Sequence, residues 1–486
     1  MIENIFSATK LTKALKKRTL STTEVVDIHL SVLEKNKYLN ALVIPTDPQK
    51  LYDEAKLNQK RINQGDNTAL IGVPLTVKDV IAVEGLALTG GSLLLANNYS
   101  KQDATVVHKL RKSGVFIAGK TNCPEFGFGI GTNNDLFGPT QNPWGSQLSP
   151  GGSSGGEAVS VSSGISLVGI GSDFGGSLRW PAQCNGVLAL RPTPRRVSGV
   201  GQIVGMGTQG LDGKSIMAPD SLQGNLQVPG FVARCVDDLE NLLFLSSGYD
   251  KQDFLSSPVC LSSSNQVDLS KITIGWSDGS SIAPVKDEVS QMILDLAIEL
   301  EKDGFKVKHF PNAFQGALQA YNNLRAFDDL RDIKALSKGR EDKLSHKTRQ
   351  ILSFSKPDNL DVSKAWVDAL IERYKALELL SQTPIIILPV AGGAGMGVDE
   401  TMVIQGHLYK GFELMAHCRA VSLLATPVVS IPVAQSVDGL PLSVQVVGLP
   451  WAEDTVLAVA KRLEFLRGGW QQVPNRKFID NKKGLI

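Results

Sequence analysis

The chain reads as an α/β sandwich with a largely parallel sheet, and three stretches carry that reading. Val115-Phe116-Ile117-Ala118 is a short apolar run of the kind buried in a parallel sheet. Ile165 to Ile170 repeats it, after a short helix that starts beside Gly156. Ile272 to Trp276 is a third strand, followed by Val289, Met292, Ile293, Leu296 and Leu300 at helical spacing. That helix stops at Gly304, and Phe305, Val307 and His309 then alternate as a strand. Repeated strand–helix–strand alternation packs helices against a sheet.

The remaining elements follow in chain order. Ser21-Thr22-Thr23-Glu24 is a capping box, with Val25, Ile28 and Val32 on one helical face behind it. Val73, Leu75 and Val77 alternate as a strand that leads into Lys78. Asp103 is placed to cap a helix ending near Gly114. Lys334 to Lys364 is charged and reads as surface helix with open boundaries, and no repeat or low-complexity segment appears.

Composition excludes several function classes. The 486 residues carry 50 basic and 48 acidic side chains, a formal charge of +2, so electrostatics argue for neither nucleic acid nor an anionic membrane. The five cysteines (Cys123, Cys184, Cys235, Cys260, Cys418) are scattered, without a Cys-x-x-Cys or His–Cys cluster. They read as reduced, buried thiols of a cytosolic protein, with no metal site. Met1 to Lys17 lacks the apolar core of a signal peptide, and no run approaches the ~20 apolar residues of a membrane span. The expectation is a cytoplasmic protein.

The chemistry concentrates in two glycine-flanked serine clusters, Gly151-Gly152-Ser153-Ser154-Gly155-Gly156 and Gly171-Ser172-Asp173-Phe174-Gly175-Gly176-Ser177. Paired glycines admit φ > 0 and let backbone N–H groups approach another molecule. A serine ending such a turn can attack a carbonyl while neighbouring N–H groups bind the resulting oxyanion. No histidine lies between His108 and His309, but Lys78 ends the upstream segment Gly72-Val73-Pro74-Leu75-Thr76-Val77-Lys78-Asp79. That combination points to serine–lysine nucleophilic catalysis. Lysine must be neutral to act as a base, and burial at a strand end supplies the required fall in pKa.

These residues resemble the amidase signature family of serine hydrolases. The resemblance rests on Gly-Gly-Ser-Ser-Gly-Gly, then Asp173-x-Gly-Gly-Ser177-x-Arg179. It extends to the Lys78 segment, Asp103 to Val107, Gly119 to Phe126, Asn142-Pro143-Trp144 and Leu440 to Gly448. It implies one large domain over residues 1–486, with a mixed, mostly parallel central sheet covered by helices on both faces. The signature core spans about 65–240, a variable substrate-shaping region about 256–425, and a return to the core about 425–470.

The resemblance also implies roles. Ser177 is the nucleophile, Ser153 the bridging serine after a cis peptide, and Lys78 the base. The N–H groups of Phe174, Gly175, Gly176 and Ser177 form the oxyanion hole. Ser154, Asp173 and Arg179 support the turn. Ile130 and Trp180 are assigned to substrate contact, with core packing as the other place for Trp180. No cofactor and no metal are implied. The implied substrate is a small-molecule amide or activated acyl compound, cleaved through a Ser177 acyl-enzyme. An amine acceptor would make the chain an amide-forming acyltransferase instead. A glutamine-hydrolysing subunit of a tRNA amidotransferase ranks third, for want of a tRNA-facing charge. Homodimerisation is left open.

Two other patterns fail on context. Gly114 to Thr121 fits the P-loop pattern, but its interior is itself an apolar strand and Pro124 interrupts the required helix. Gly151-Gly152-Ser153-Ser154-Gly155 fits the nucleophile-elbow pattern, but a loop composition precedes it, not a buried strand. An α/β-hydrolase would also draw on His309, His346, His407 or His417, and none has a recognisable setting.

Overall fold

The computed structural model describes residues 7–203, 222–253, 255–328, 330–353 and 361–473. Thirteen strands occur among them. In chain order these are β1 (Leu42–Pro45), β2 (Pro74–Lys78), β3 (Phe116–Thr121), β4 (Val168–Asp173), β5 (Leu188–Arg191), β6 (Val228–Ala233) and β7 (Thr273–Trp276). There follow β8 (Lys306–His309), β9 (Ile385–Pro389), β10 (Thr401–Ile404), β11 (His407–Lys410), β12 (Val428–Gln435) and β13 (Pro441–Gly448). Eleven form one sheet in the order β1-β3-β2-β4-β6-β5-β12-β13-β9-β7-β8, and β10 and β11 pair separately.

The middle of the sheet is buried on both faces, as strand periodicity shows, while the edge strand β8 is largely exposed. Along β9, Ile385 and Ile387 join one hydrophobic cluster while Ile386 and Leu388 join another. Val429 and Val446 likewise face the first, and Val428 and Val447 the second. Side chains two apart share a face, so continuous apolar runs feed two cores at once.

The expectation of a mostly parallel sheet needs correction. Parallel pairing is confined to β3-β2-β4 and β9-β7-β8. The span from β4 through β6, β5, β12 and β13 to β9 is antiparallel throughout. Within this span only β12 and β13 follow one another as a turn-joined pair, whereas β4 and β5 are linked through the Arg179–Asn185 helix and β6 inserts between them running the opposite way.

The expected helix with Val289, Met292, Ile293, Leu296 and Leu300 forms over Asp287–Lys302, with all five residues buried. Beyond its Asp303 cap comes Gly304, which sits at φ 99°. The capping box at Ser21 and Glu24 forms over Thr22–Asn36, where Val25 is buried. Asp103 does not cap the Thr105–Lys112 helix, whose cap position is Ala104. Its carboxylate accepts from the Glu84 N–H and pairs with Arg111 instead. In the charged stretch Lys334 to Lys364, the described helices are Arg331–Ser337, His346–Ser353 and the start of Val362–Gln382. Residues 354–360 of that stretch lie outside the described residues.

No described helix is long and apolar enough to cross a membrane. The five cysteines are free, and no metal-binding group of three or more His, Cys, Asp or Glu occurs among the described residues. Cys260 is exposed and Cys235 half-buried, against the expectation that all five are buried.

Candidate active site

Lys78 is the last residue of β2, and β2 pairs with β4 in parallel through Val77 and Ile170. Leu75 and Val77 enter a hydrophobic core, so Thr76 and Lys78 face the other way. That face meets the Gly155–Ser163 helix, whose buried Glu157 accepts from Thr76 Oγ1 at 2.7 Å. Lys78 is wholly buried and donates to Ser153 Oγ at 2.6 Å and Ser172 Oγ at 3.0 Å. Burial pushes its ammonium down to about 8, against the opposing pull of Asp173 and Glu157. Ser153 follows a cis Gly152–Ser153 peptide.

Ser177 lies beyond β4 at the end of the second glycine cluster and is partly exposed. With Ser153 and Ser172 it lines a cavity of 640 Å³. Ser154 N–H donates to the Ser177 carbonyl at 3.0 Å, which ties the two serine clusters together. Ser154 occupies the helix N-cap position without a side-chain cap. Its hydroxyl instead donates to Ser172 O at 3.2 Å.

Asp173 and Arg179 form a buried ion pair behind the turn, with contacts of 2.9 and 3.0 Å. Burial works to raise the Asp173 pKa, but Arg179 and Arg191 prevail and hold it at about 2. Arg179 also reaches Gln445 Oε1 at 2.6 Å and Ser422 Oγ at 2.6 Å, locking the turn to β13 and to the Ala416–Leu423 helix. Asp173 accepts from the N–H of Gly176 at 2.8 Å and of Leu178 at 3.1 Å. The Gly176 N–H is thus engaged, which removes one member of the four-donor oxyanion hole expected from sequence. Among the described residues, the N–H groups of Phe174, Gly175 and Ser177 meet no acceptor.

Ile130 and Trp180 do not contact the cavity, which corrects the substrate role expected for them. Both are wholly buried in a cluster with Met396, Met402, Met415 and Cys418, and Trp180 Nε1 donates to Ile130 O at 3.2 Å. The indole satisfies its polar atom internally, so it packs as core. Lys120, the lysine of the P-loop-like stretch, is buried on β3 and pairs with Asp79 at 2.8 Å. It is a structural cation.

Three features escaped the sequence reading. Ser172 shares Lys78 with Ser153, although it lies inside a cluster already singled out. Glu157 is wholly buried, and its oxygens accept from Thr76 Oγ1 and Thr121 Oγ1, each at 2.7 Å. Burial lifts its pKa to about 8 against those two hydroxyls and Lys78. The cavity walls come from Phe126, Phe128 and Phe174, and from Tyr321, Arg325, Met415 and Arg419 of the variable region.

Lys78 is thus hydrogen-bonded to Ser153 and Ser172, and both serines line one cavity with Ser177 on a mixed α/β sheet. The chain belongs to the amidase (amidase signature) family, whose sequence pattern matches residues 24–457. It is 28% identical over 506 residues to a glutamyl-tRNA(Gln) amidotransferase subunit of Sulfurihydrogenibium sp., covering 96% of this chain and 98% of that one. The corresponding subunit of Cupriavidus metallidurans is 36% identical, over 52% of this chain and 47% of that one. Among solved structures, 6-aminohexanoate cyclic dimer hydrolase in complex with substrate superposes with a TM-score of 0.81 at 24% identity, covering 95% of this chain and 97% of that one. The peptide amidase of Stenotrophomonas maltophilia gives 0.76 at 23%, covering 97% and 98%. At these identities the two structures are likenesses of fold.

Proposed function

We propose that this protein is an amidase-type serine hydrolase acting on a small-molecule amide. The observation that carries the reading is the buried Lys78 Nζ, 2.6 Å from Ser153 Oγ below a partly exposed Ser177. Burial favours the neutral amine, which can take the Ser153 hydroxyl proton while still donating to Ser172. Ser153 in turn takes the Ser177 proton as Ser177 Oγ bonds to the amide carbon. The oxyanion meets the N–H groups of Phe174, Gly175 and Ser177. The proton then returns through Ser153 to the leaving nitrogen as the C–N bond breaks. Water then attacks the acyl carbon with its proton passing to Lys78 by the same route, and that proton returns through Ser153 to Ser177 Oγ as the Ser177–acyl bond breaks and an acid leaves.

Intact-mass trapping with a panel of amides tests this reading. A Ser177-dependent acyl adduct is expected, lost in Ser177→Ala. No adduct and no turnover with any amide would overturn it. The same experiment with added amines tells hydrolysis from acyl transfer through the product formed.

A glutamine-hydrolysing subunit is the second reading, favoured by the names of the relatives at 28% identity over nearly the whole chain. Copurified partner chains together with glutaminase activity would establish it over the first.

A further inference from the structure

We propose that the cavity selects amides bearing a carboxylate remote from the scissile bond, held by Arg419 and Arg325. This rests on the amidase reading above and names its substrate class.

The cavity has a polar floor and aromatic walls, and its charged lining is unbalanced. Among the described residues of the lining, Arg325, Lys334 and Arg419 face one acid, Asp328. Asp328 pairs with Arg325 at 3.1 Å. Arg419 is half-buried, with its guanidinium 5.1 Å from the centre of the Tyr321 ring. It donates to Asn322 Oδ1 and, at 3.4 Å, to Phe412 O. Among the described residues it pairs with no carboxylate. A guanidinium offers five N–H donors, and a half-buried one without an anion is an unfavourable resting state that an anionic ligand relieves.

Both arginines are mounted close to the nucleophile turn. A Cβ on Gly175 would come within 2.8 Å of Tyr321 Oη and 3.4 Å of Arg419 Cγ, so the turn and the cationic wall pack directly together. Arg325 lies 5.6 Å from the centre of the Phe174 ring, beside the same turn. A volume of 640 Å³ exceeds the need of a small primary amide and fits an apolar or aromatic spacer between the reacting carbonyl and a charged end. Arginine recognises a planar carboxylate bidentately, which makes that anion the best geometric match.

The test compares two series. In the first, ω-carboxyalkanoyl p-nitroanilides are set against their methyl esters, placing the charge on the acyl side. In the second, N-acyl-4-aminobenzoates are set against their methyl esters, placing it on the amine side. The free carboxylate should raise kcat/KM by about tenfold or more in one series. That ratio should shrink with added salt and fall toward one in Arg419→Gln, with a smaller fall in Arg325→Gln. Fluorophosphonate labelling of Ser177 in each sample reports a folded, reactive site. If Arg419→Gln does not label, Arg325→Gln and the wild-type salt dependence decide the matter. Normal labelling with no carboxylate preference in either series, or a preference untouched by salt and by both substitutions, would overturn this proposal alone. No labelling and no turnover of any compound would overturn the amidase reading with it.

Discussion

Lys78 Nζ lies 2.6 Å from Ser153 Oγ, with the lysine closed to solvent and the serine on the cavity floor. On the proposed mechanism the contact relays a proton only when the lysine is neutral, so activity should report its titration. With the ammonium depressed to about 8, the neutral amine gains on the charged form as pH rises through that value. The kcat/KM of a neutral amide is expected to rise with pH through about 8 and then level. A profile flat from pH 6 to 9 would remove Lys78 from the role of base.

Lys78→Arg should not restore activity lost in Lys78→Ala, because a guanidinium holds its proton at any working pH. Initial rates on the same amide check this. An active arginine variant would refute the relay.

Stability should move oppositely to activity at this position. The folded-state pKa of about 8 lies below the ordinary 10.5, so at neutral pH folding carries an unfavourable charge. The unfolded chain binds more protons than the folded one between about 8 and 10.5, so stability on this account rises with pH across that window. The shift corresponds to about 3 kcal/mol. Lys78→Met should therefore be inactive yet more resistant to denaturant than wild type at pH 7, with the gain shrinking toward pH 10. Paired urea titrations at the two pH values measure it.

Ser177→Ala should abolish turnover and leave stability within about 0.5 kcal/mol, since the residue is partly exposed and only its backbone ties the turn down. Asp173→Asn behind it should be far more costly, about 3–5 kcal/mol, because Arg179 would be left as an uncompensated buried charge. Thermal or urea unfolding of both variants separates the chemical role from the structural one.

Gly169 and Glu157 are coupled by space. A Cβ on Gly169 would sit 1.9 Å from Glu157 Oε2. Gly169→Ala should be strongly destabilising alone, and less so on a Glu157→Ala background. The two changes should be clearly non-additive in a double-mutant cycle. Additive losses would mean that the carboxyl has room to move.

The site was legible where its chemistry is written locally. Ser153, Ser177 and Lys78 each sit in a short glycine- or strand-bounded segment, and alternation of Val73, Leu75 and Val77 anticipates the buried strand ending at Lys78. What sequence missed is brought in by the tertiary fold. Glu157 follows a glycine pair on a helix, and only the packing of that helix against Thr76 and Thr121 makes it a buried carboxyl. Tyr321, Arg325 and Arg419 come from a region without recognisable motifs. The sequence leaves Trp180 between substrate contact and core packing, and its bond to the Ile130 carbonyl sets it in the core. Strand direction was misjudged because runs such as Ile385 to Leu388 are apolar on both faces and carry no mark of their polarity.

The sheet separates what the protein does from what it does it to. The proposed reacting groups stand on β2, β4 and the turns beside them, clamped through Arg179 to the middle of the sheet. The other walls of the cavity come from stretches distant in sequence, around 126–128, 321–334 and 412–419. On the proposed reading, substrate preference can be rewritten at the side chains of those stretches that face the cavity, while Cys418 O, which holds Arg179, and Tyr321, which packs on Gly175, stay fixed with the turn.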